Sequence, residues 1–144
     1  MLPFPTTANE AYSTQYRPDL HALILRWLRP QTLAEIQESY GHLLVQAREH
    51  ACARWLLDGR RDGPINADIT HWLSGYFFPE AVRTLAPHRL CMAALSSPAR
   101  LQQSHADGAV APAVARALAP EQPYHTAVFL TEAEALIWLD AQPR

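Results

Sequence analysis

Residues 12–28 read Tyr12-Ser-Thr-Gln-Tyr-Arg-Pro-Asp-Leu-His-Ala-Leu-Ile-Leu-Arg-Trp-Leu28. Tyr12, Thr14 and Tyr16 alternate with smaller or polar residues, the two-residue period of a strand built from strand-favouring side chains. Arg17-Pro18-Asp19 then makes a corner, because proline fixes φ and aspartate can bond its own backbone. Leu20 to Leu28 follows as an apolar run through Leu23, Ile24, Leu25 and Trp27. Two such runs joined by a turn predict an antiparallel hairpin.

Outward from the hairpin, Pro30 stops the second strand and Thr32-Leu33-Ala34-Glu35 opens a helix. In that capping box the Thr and Glu side chains each satisfy a backbone N–H that the first turn leaves unpaired. Ile36, Tyr40, Leu43, Leu44 and Ala47 recur on one face of the helix, with Glu35, Glu38, Gln46 and Arg48 mostly elsewhere. Cys52 to Asp58 is a short apolar run suited to an interior strand. The loop Gly59-Arg-Arg-Asp-Gly-Pro64 ends it. Asn66 or Asp68 can cap a second helix carrying Ile69, Trp72, Leu73, Tyr76 and Phe77, which Pro79 kinks or restarts before Ala81, Val82 and Leu85. His88 to Leu95 reads as another strand, and Ser96-Ser97-Pro98 opens a short helix or turn. Leu101 to Pro120 is rich in alanine and broken by Gly108, Pro112 and Pro120, which predicts one or two short helices. Tyr124 to Leu130 is the last strand, and Thr131-Glu-Ala-Glu134 is a second capping box opening a terminal helix.

Strands alternating with helices predict one α/β domain: a single mixed sheet of four to five strands, with an N-terminal hairpin and later strands mainly parallel, covered by helices. Residues 1–10 read as a flexible arm and residues 11–144 as the domain.

The bulk numbers narrow the function. The chain has 144 residues, 49% of them hydrophobic and 18% charged, which is globular composition. A net charge of −2 gives no broad basic field for nucleic acid or an anionic membrane. No run approaches the roughly 20 apolar residues of a membrane span, and Met1 to Asn9 has no signal-peptide pattern, so the expected location is cytoplasmic. All 12 basic residues are arginine, so a Gly-x-x-x-x-Gly-Lys phosphate loop is impossible, and no Gly-x-Gly-x-x-Gly occurs. His21, His42, His50, His71, His88, His105 and His125 show no His-x-x-x-His spacing and no cysteine at ligand distance. Asp58 to Gly63 lacks the alternating oxygen ligands of a calcium loop. Cys52 and Cys91 sit in apolar stretches and read as reduced core residues. Ser96-Ser97 reads as a helix cap, since nothing resembles Gly-x-Ser-x-Gly. The expectation is a non-enzyme with no catalytic residues, metal or cofactor.

Two regions stand out as candidate sites. Open α/β sheets bind ligands or partners where strand ends meet helix N-termini. Asp58, Arg60, Arg61, Asp62, Asn66 and Asp68 lie at such a junction. They form either a contact surface for a partner or a solvated charged loop with its cap. Trp72, Tyr76, Phe77 and Phe78, with Leu73, supply more aromatic surface than one sheet-facing stripe requires. They are core, or else they line a pocket or form a dimer face.

The element order resembles the STAS/SpoIIAA-like family, small domains related to bacterial anti-sigma-factor antagonists. The resemblance runs from Tyr12 to about Gln142. It rests on Tyr16-Arg-Pro-Asp-Leu20 with its apolar strand, on Trp55-Leu-Leu-Asp58 feeding a loop and aromatic helix, and on Val128-Phe-Leu-Thr-Glu-Ala-Glu-Ala-Leu-Ile-Trp-Leu139. It implies a central sheet of four or five strands and partner binding without catalysis. In the antagonists a partner kinase phosphorylates a Ser in an Asp-Ser-x-Gly-like motif after the third strand. The corresponding Ile65-Asn-Ala-Asp-Ile-Thr70 has no such Ser, so no phosphosite is carried over. Some relatives resemble lipid-binding CRAL-TRIO domains. The expected function is therefore a signalling or protein-interaction domain that contacts a protein partner or a second copy of itself. The alternative is a carrier holding a small apolar ligand or lipid beside the Trp72 to Phe78 helix.

Overall fold

The structure, a computed structural model, describes residues 6–143. Six strands form one sheet whose spatial order is the chain order: β1 (Thr6–Ala8), β2 (Tyr12–Arg17), β3 (Ala22–Trp27), β4 (Arg54–Asp58), β5 (Cys91–Leu95) and β6 (His125–Phe129). β1 to β3 are antiparallel neighbours and β3 to β6 run parallel. The hairpin forms as its alternation requires, with Tyr12 opposite Trp27 and Arg17 opposite Ala22.

One correction concerns the arm. Thr6 to Ala8 pairs with Ser13 to Gln15 as an edge strand, which raises the count from the expected four or five to six. β2 would otherwise present a row of unpaired backbone groups, and three residues are too few for periodicity to reveal. Asn9 turns the chain into β2 by accepting from the Ala11 and Tyr12 N–H groups, and residues 1–5 of the predicted arm lie outside the described residues.

α1 (Leu33–His50) follows β3, with both halves of its capping box made between Thr32 and Glu35. It ends at Ala51 in the left-handed region, φ 49°. Between β4 and β5 run α2 (Ala67–Trp72), a π turn (Leu73–Phe77) and α3 (Phe78–Leu85), continuous in chain. Pro79 explains the π turn. Its ring would clash with the carbonyl four residues back and it has no N–H to donate. Widening the preceding turn accommodates both, so the helix continues rather than restarting. α4 (Pro98–Ala106) and α5 (Ala111–Ala117) link β5 to β6, and α6 (Glu132–Asp140) follows β6.

Strand alternation splits the core in two. Leu23, Leu25, Trp27, Trp55, Leu57 and Met92 face one way and pack with α1, the π turn and α3. Ala22, Ile24, Leu56, Cys91, Ala93 and Leu95 face the other way and pack with α6. Right-handed crossovers stepping in one direction across a sheet put their helices on one face. Here α1 to α5 share a face, and among the described residues α6 is the helix that covers the opposite one. No described helix is long and apolar enough to cross a membrane.

Candidate functional site

The C-terminal ends of the parallel strands carry two clusters of charge, one on each face. On the α6 face, Asp58 ends β4 and lies between two arginines. Arg26 Nη1 donates to Asp58 Oδ2 at 2.8 Å and to Glu132 Oε1 at 2.6 Å. Arg60 donates to the same carboxylate through Nε at 3.0 Å and Nη2 at 2.9 Å. Burial would raise the Asp58 pKa, but the bonds from Arg60 and Arg26 outweigh it and hold the carboxyl below its usual range. The same contacts raise the Arg26 pKa against the effect of burial. At the far end of α6, Arg54, 2% exposed, reaches Asp140 at 3.3 Å. Ion pairs therefore fasten α6 at both ends.

On the opposite face the helices leave a cavity of about 210 Å³ against the sheet. Its floor is Leu57 of β4, Met92 and Ala94 of β5, and Thr126 and Val128 of β6. Ile69, Leu73 and Phe78 close one side, and Leu101, Val114 and Ala117 close another. The lining is predominantly apolar; its polar side chains are Tyr40, Asp62, Ser96 and Arg100, with the hydroxyls of Thr70, Ser104 and Thr126.

Tyr40 is 4% exposed, and its hydroxyl has no hydrogen-bond partner among the described residues. Burial pushes its pKa above the usual tyrosine value, and it feels the charges of Arg100 and Asp62. Arg100 Nη1 donates to the Gly63 carbonyl and lies 3.8 Å from Asp62 Oδ2. Its Nε and Nη2 lie over Gly59, 3.6 and 3.8 Å from where a Cβ would stand, with no hydrogen-bond partner among the described residues. Burial lowers the Arg100 pKa, and Asp62 offsets this only in part. Asp62 is held by the Gln31 and Gly63 backbone N–H groups, at 3.0 and 2.8 Å on Oδ1. The Gln103 amide brackets Ile65, accepting from its N–H at 2.7 Å and donating to its carbonyl at 3.0 Å. The loop after β4 is thus clamped to α4 along the cavity rim.

The structure separates the residues that the sequence grouped. Asp58 and Arg60 turn into the α6 network, whereas Asp62 turns to the cavity. Asn66 caps α2, accepting from Asp68 and Ile69 N–H at 2.8 and 3.1 Å. Arg61 and Asp68 are exposed. Of the aromatics, Phe77 and Phe78 are buried around Tyr40, and Phe78 lines the cavity. Trp72 is half-buried against Phe77, and Tyr76 is 62% exposed beside it. Ser97 caps α4 through the Arg100 N–H at 3.2 Å. Cys52 and Cys91 are buried free thiols whose pKa values burial raises. No three His, Cys, Asp or Glu residues are grouped to hold a metal among the described residues.

Sequence reasoning missed Arg100 as a site residue and took Tyr40 as core alone. Arg100 did carry a signal. It stands three residues after the Ser97 cap, in the first turn of α4, where the helix dipole disfavours a cation. A residue breaking a local rule points to a role elsewhere.

No protein-family model matches the chain, and no curated protein or solved structure matches it.

Proposed function

We propose that the domain is a non-enzymatic binding module that takes a small, mainly apolar molecule into the cavity between β4–β6 and α1–α5. The observation that carries this is the cavity itself. The cavity opens to solvent on one side, so a ligand can enter it, and an apolar cavity of about 150 Å³ binds benzene. At 210 Å³ this one has room for a ring with a short side chain. Its titratable lining groups are Tyr40, Asp62 and Arg100. Native mass spectrometry of gently purified protein tests the reading, with Ala94→Phe as the control that fills the cavity. A retained or added small ligand held by the parent and lost from Ala94→Phe supports it. Equal retention by both places the ligand elsewhere and removes the reading.

The resemblance to STAS/SpoIIAA-like domains supports a second reading, a regulatory domain that binds a protein partner. Arg61 of the loop and Asp68 in the first turn of α2 are exposed charges without an ion-pair partner among the described residues, and Asp62 and Ile65 between them line the cavity. Arg61→Ala with Asp68→Ala is expected to lose the partner in affinity capture while thermal unfolding is unchanged. Undiminished capture would sink this reading.

A further inference from the structure

We infer that the ligand of this cavity is a small monocarboxylate, its head group held by Arg100 Nε and Nη2 and by the Tyr40 hydroxyl; this rests on the cavity reading above. The argument begins with the three arginines near the ends of the parallel strands. Arg26 and Arg60 each meet carboxylate oxygens at 2.6 to 2.9 Å, the range of charge-assisted hydrogen bonds. Arg100 does not. Its nearest carboxylate oxygen is 3.8 Å away, and the nitrogen concerned is already donating to the neutral Gly63 carbonyl.

The Arg100 side chain is 21% exposed, and a largely covered guanidinium short of a counter-charge favours an anion beside it. The edge that remains, Nε with Nη2, is the fork geometry that matches a carboxylate with two parallel bonds. Gly59, which lies against that edge, has no side chain of its own to cover it. Tyr40 offers a second donor with no partner, 4% exposed and lining the same cavity. Donors with no protein partner among the described residues, one of them on a cation, beside an apolar chamber describe an anionic head and a hydrocarbon body.

Asp62 opposes a second anion. Its Oδ1 is fixed by the Gln31 and Gly63 N–H groups, while Oδ2 points towards the Nη1 side of Arg100. The free edge is therefore the one less neutralised by Asp62. Asp62 also predicts selectivity, because a dianion would meet repulsion that a monocarboxylate meets only in part.

The test is calorimetric titration of the full chain with phenylpropanoate and with its primary amide, which share shape and differ in charge. Phenylpropanoate is expected to bind at least about tenfold more tightly than the amide. Tyr40→Phe removes only an unpartnered hydroxyl, so it should fold normally and lose several-fold in affinity for the acid but not for the amide. Asp62→Asn should strengthen the acid and leave the amide unmoved. Acid and amide binding equally, with both lost in Ala94→Phe, would overturn the carboxylate inference while the cavity reading stands. Neither probe binding would overturn both. An acid preference that survives unchanged in Tyr40→Phe and in Arg100→Met would also overturn the inference.

Discussion

Ala93 and Ala94 are consecutive residues of β5 that meet opposite surroundings. Ala93 is fully buried beneath α6, whereas Ala94 is only partly buried and opens on the cavity. A single nine-residue helix closes the first face, and ion pairs at both of its ends fix its position. The second face is roofed by several pieces, among them a six-residue helix, a π turn and a seven-residue helix. Short segments joined by turns do not tile a flat floor as one straight helix does, and the unfilled space becomes a chamber. At the C-terminal strand ends the charges differ in the same way, although Arg54 at the other end of the closed face leaves Nε and Nη1 buried without a partner. Asp58 has its bonds from two arginines on the closed face, while Arg100 on the open face has a carbonyl and a distant carboxylate. More covering structure does not mean a tighter core; what matters is whether the pieces meet.

The comparison can be broken by removing what closes the closed face. Asp58→Ala strips the shared carboxylate from Arg26 and Arg60 and is expected to destabilise the fold by about 2–3 kcal/mol in denaturant unfolding. The partial exposure of both arginines keeps the figure below that of a fully buried pair. A loss below about 0.5 kcal/mol would mean that α6 is held by packing alone.

The alanine pair sharpens it further. Ala93→Leu has no room under α6 and should cost about 1–3 kcal/mol through overpacking. Ala94→Leu grows into existing space and should cost less than about 1 kcal/mol. Equal costs would show that the two faces are equally full.

Acid separates the charge clusters. Arg29 bonding holds the Glu35 pKa at about 2, and Asp58 is also depressed. A carboxyl whose folded pKa lies below its unfolded value adds stability above the unfolded value, and that stability disappears as pH falls towards the folded one. Urea midpoints should therefore be flat near neutrality and fall from about pH 4.5 downward, with a shallower fall in Asp58→Asn. A slope identical in the variant would remove Asp58 from the acid response.

The smallest effect belongs to the chamber. Tyr40→Phe deletes a hydroxyl with no hydrogen bond to lose, so stability should change by less than about 0.5 kcal/mol, in the stabilising direction if at all. A clear loss in thermal unfolding would reveal a partner for that hydroxyl.

Local features were legible in the sequence. The Thr32–Glu35 capping box forms, and Thr131 caps α6 through the Glu134 N–H while its hydroxyl donates to the Glu134 carboxylate. The hairpin was readable because alternation and turn lie within 17 residues. The chamber was not, since its floor comes from three strands and its polar end from Tyr40, Asp62 and Arg100. Arg26 and Glu132 are 106 positions apart, and no local pattern announces their contact. The loop after β4 shows where the reading failed. Asp58 still belongs to the strand, so the two-residue period places it with Leu56 on the α6 face. Asp62, beyond the strand, is free to turn to the other side. Treating both as one surface ignored where the alternation ends.

Each strand that α6 covers precedes it in the chain. During synthesis the cavity side can be roofed progressively, because each crossover helix emerges directly after the strand it follows. Ile24, Leu56, Ala93 and Leu95 have no cover until residues 132–140 have left the ribosome. A nascent chain stalled before that point therefore exposes one complete apolar face of a formed sheet to chaperones. The helix that makes the tightest half of the molecule also follows every strand it covers.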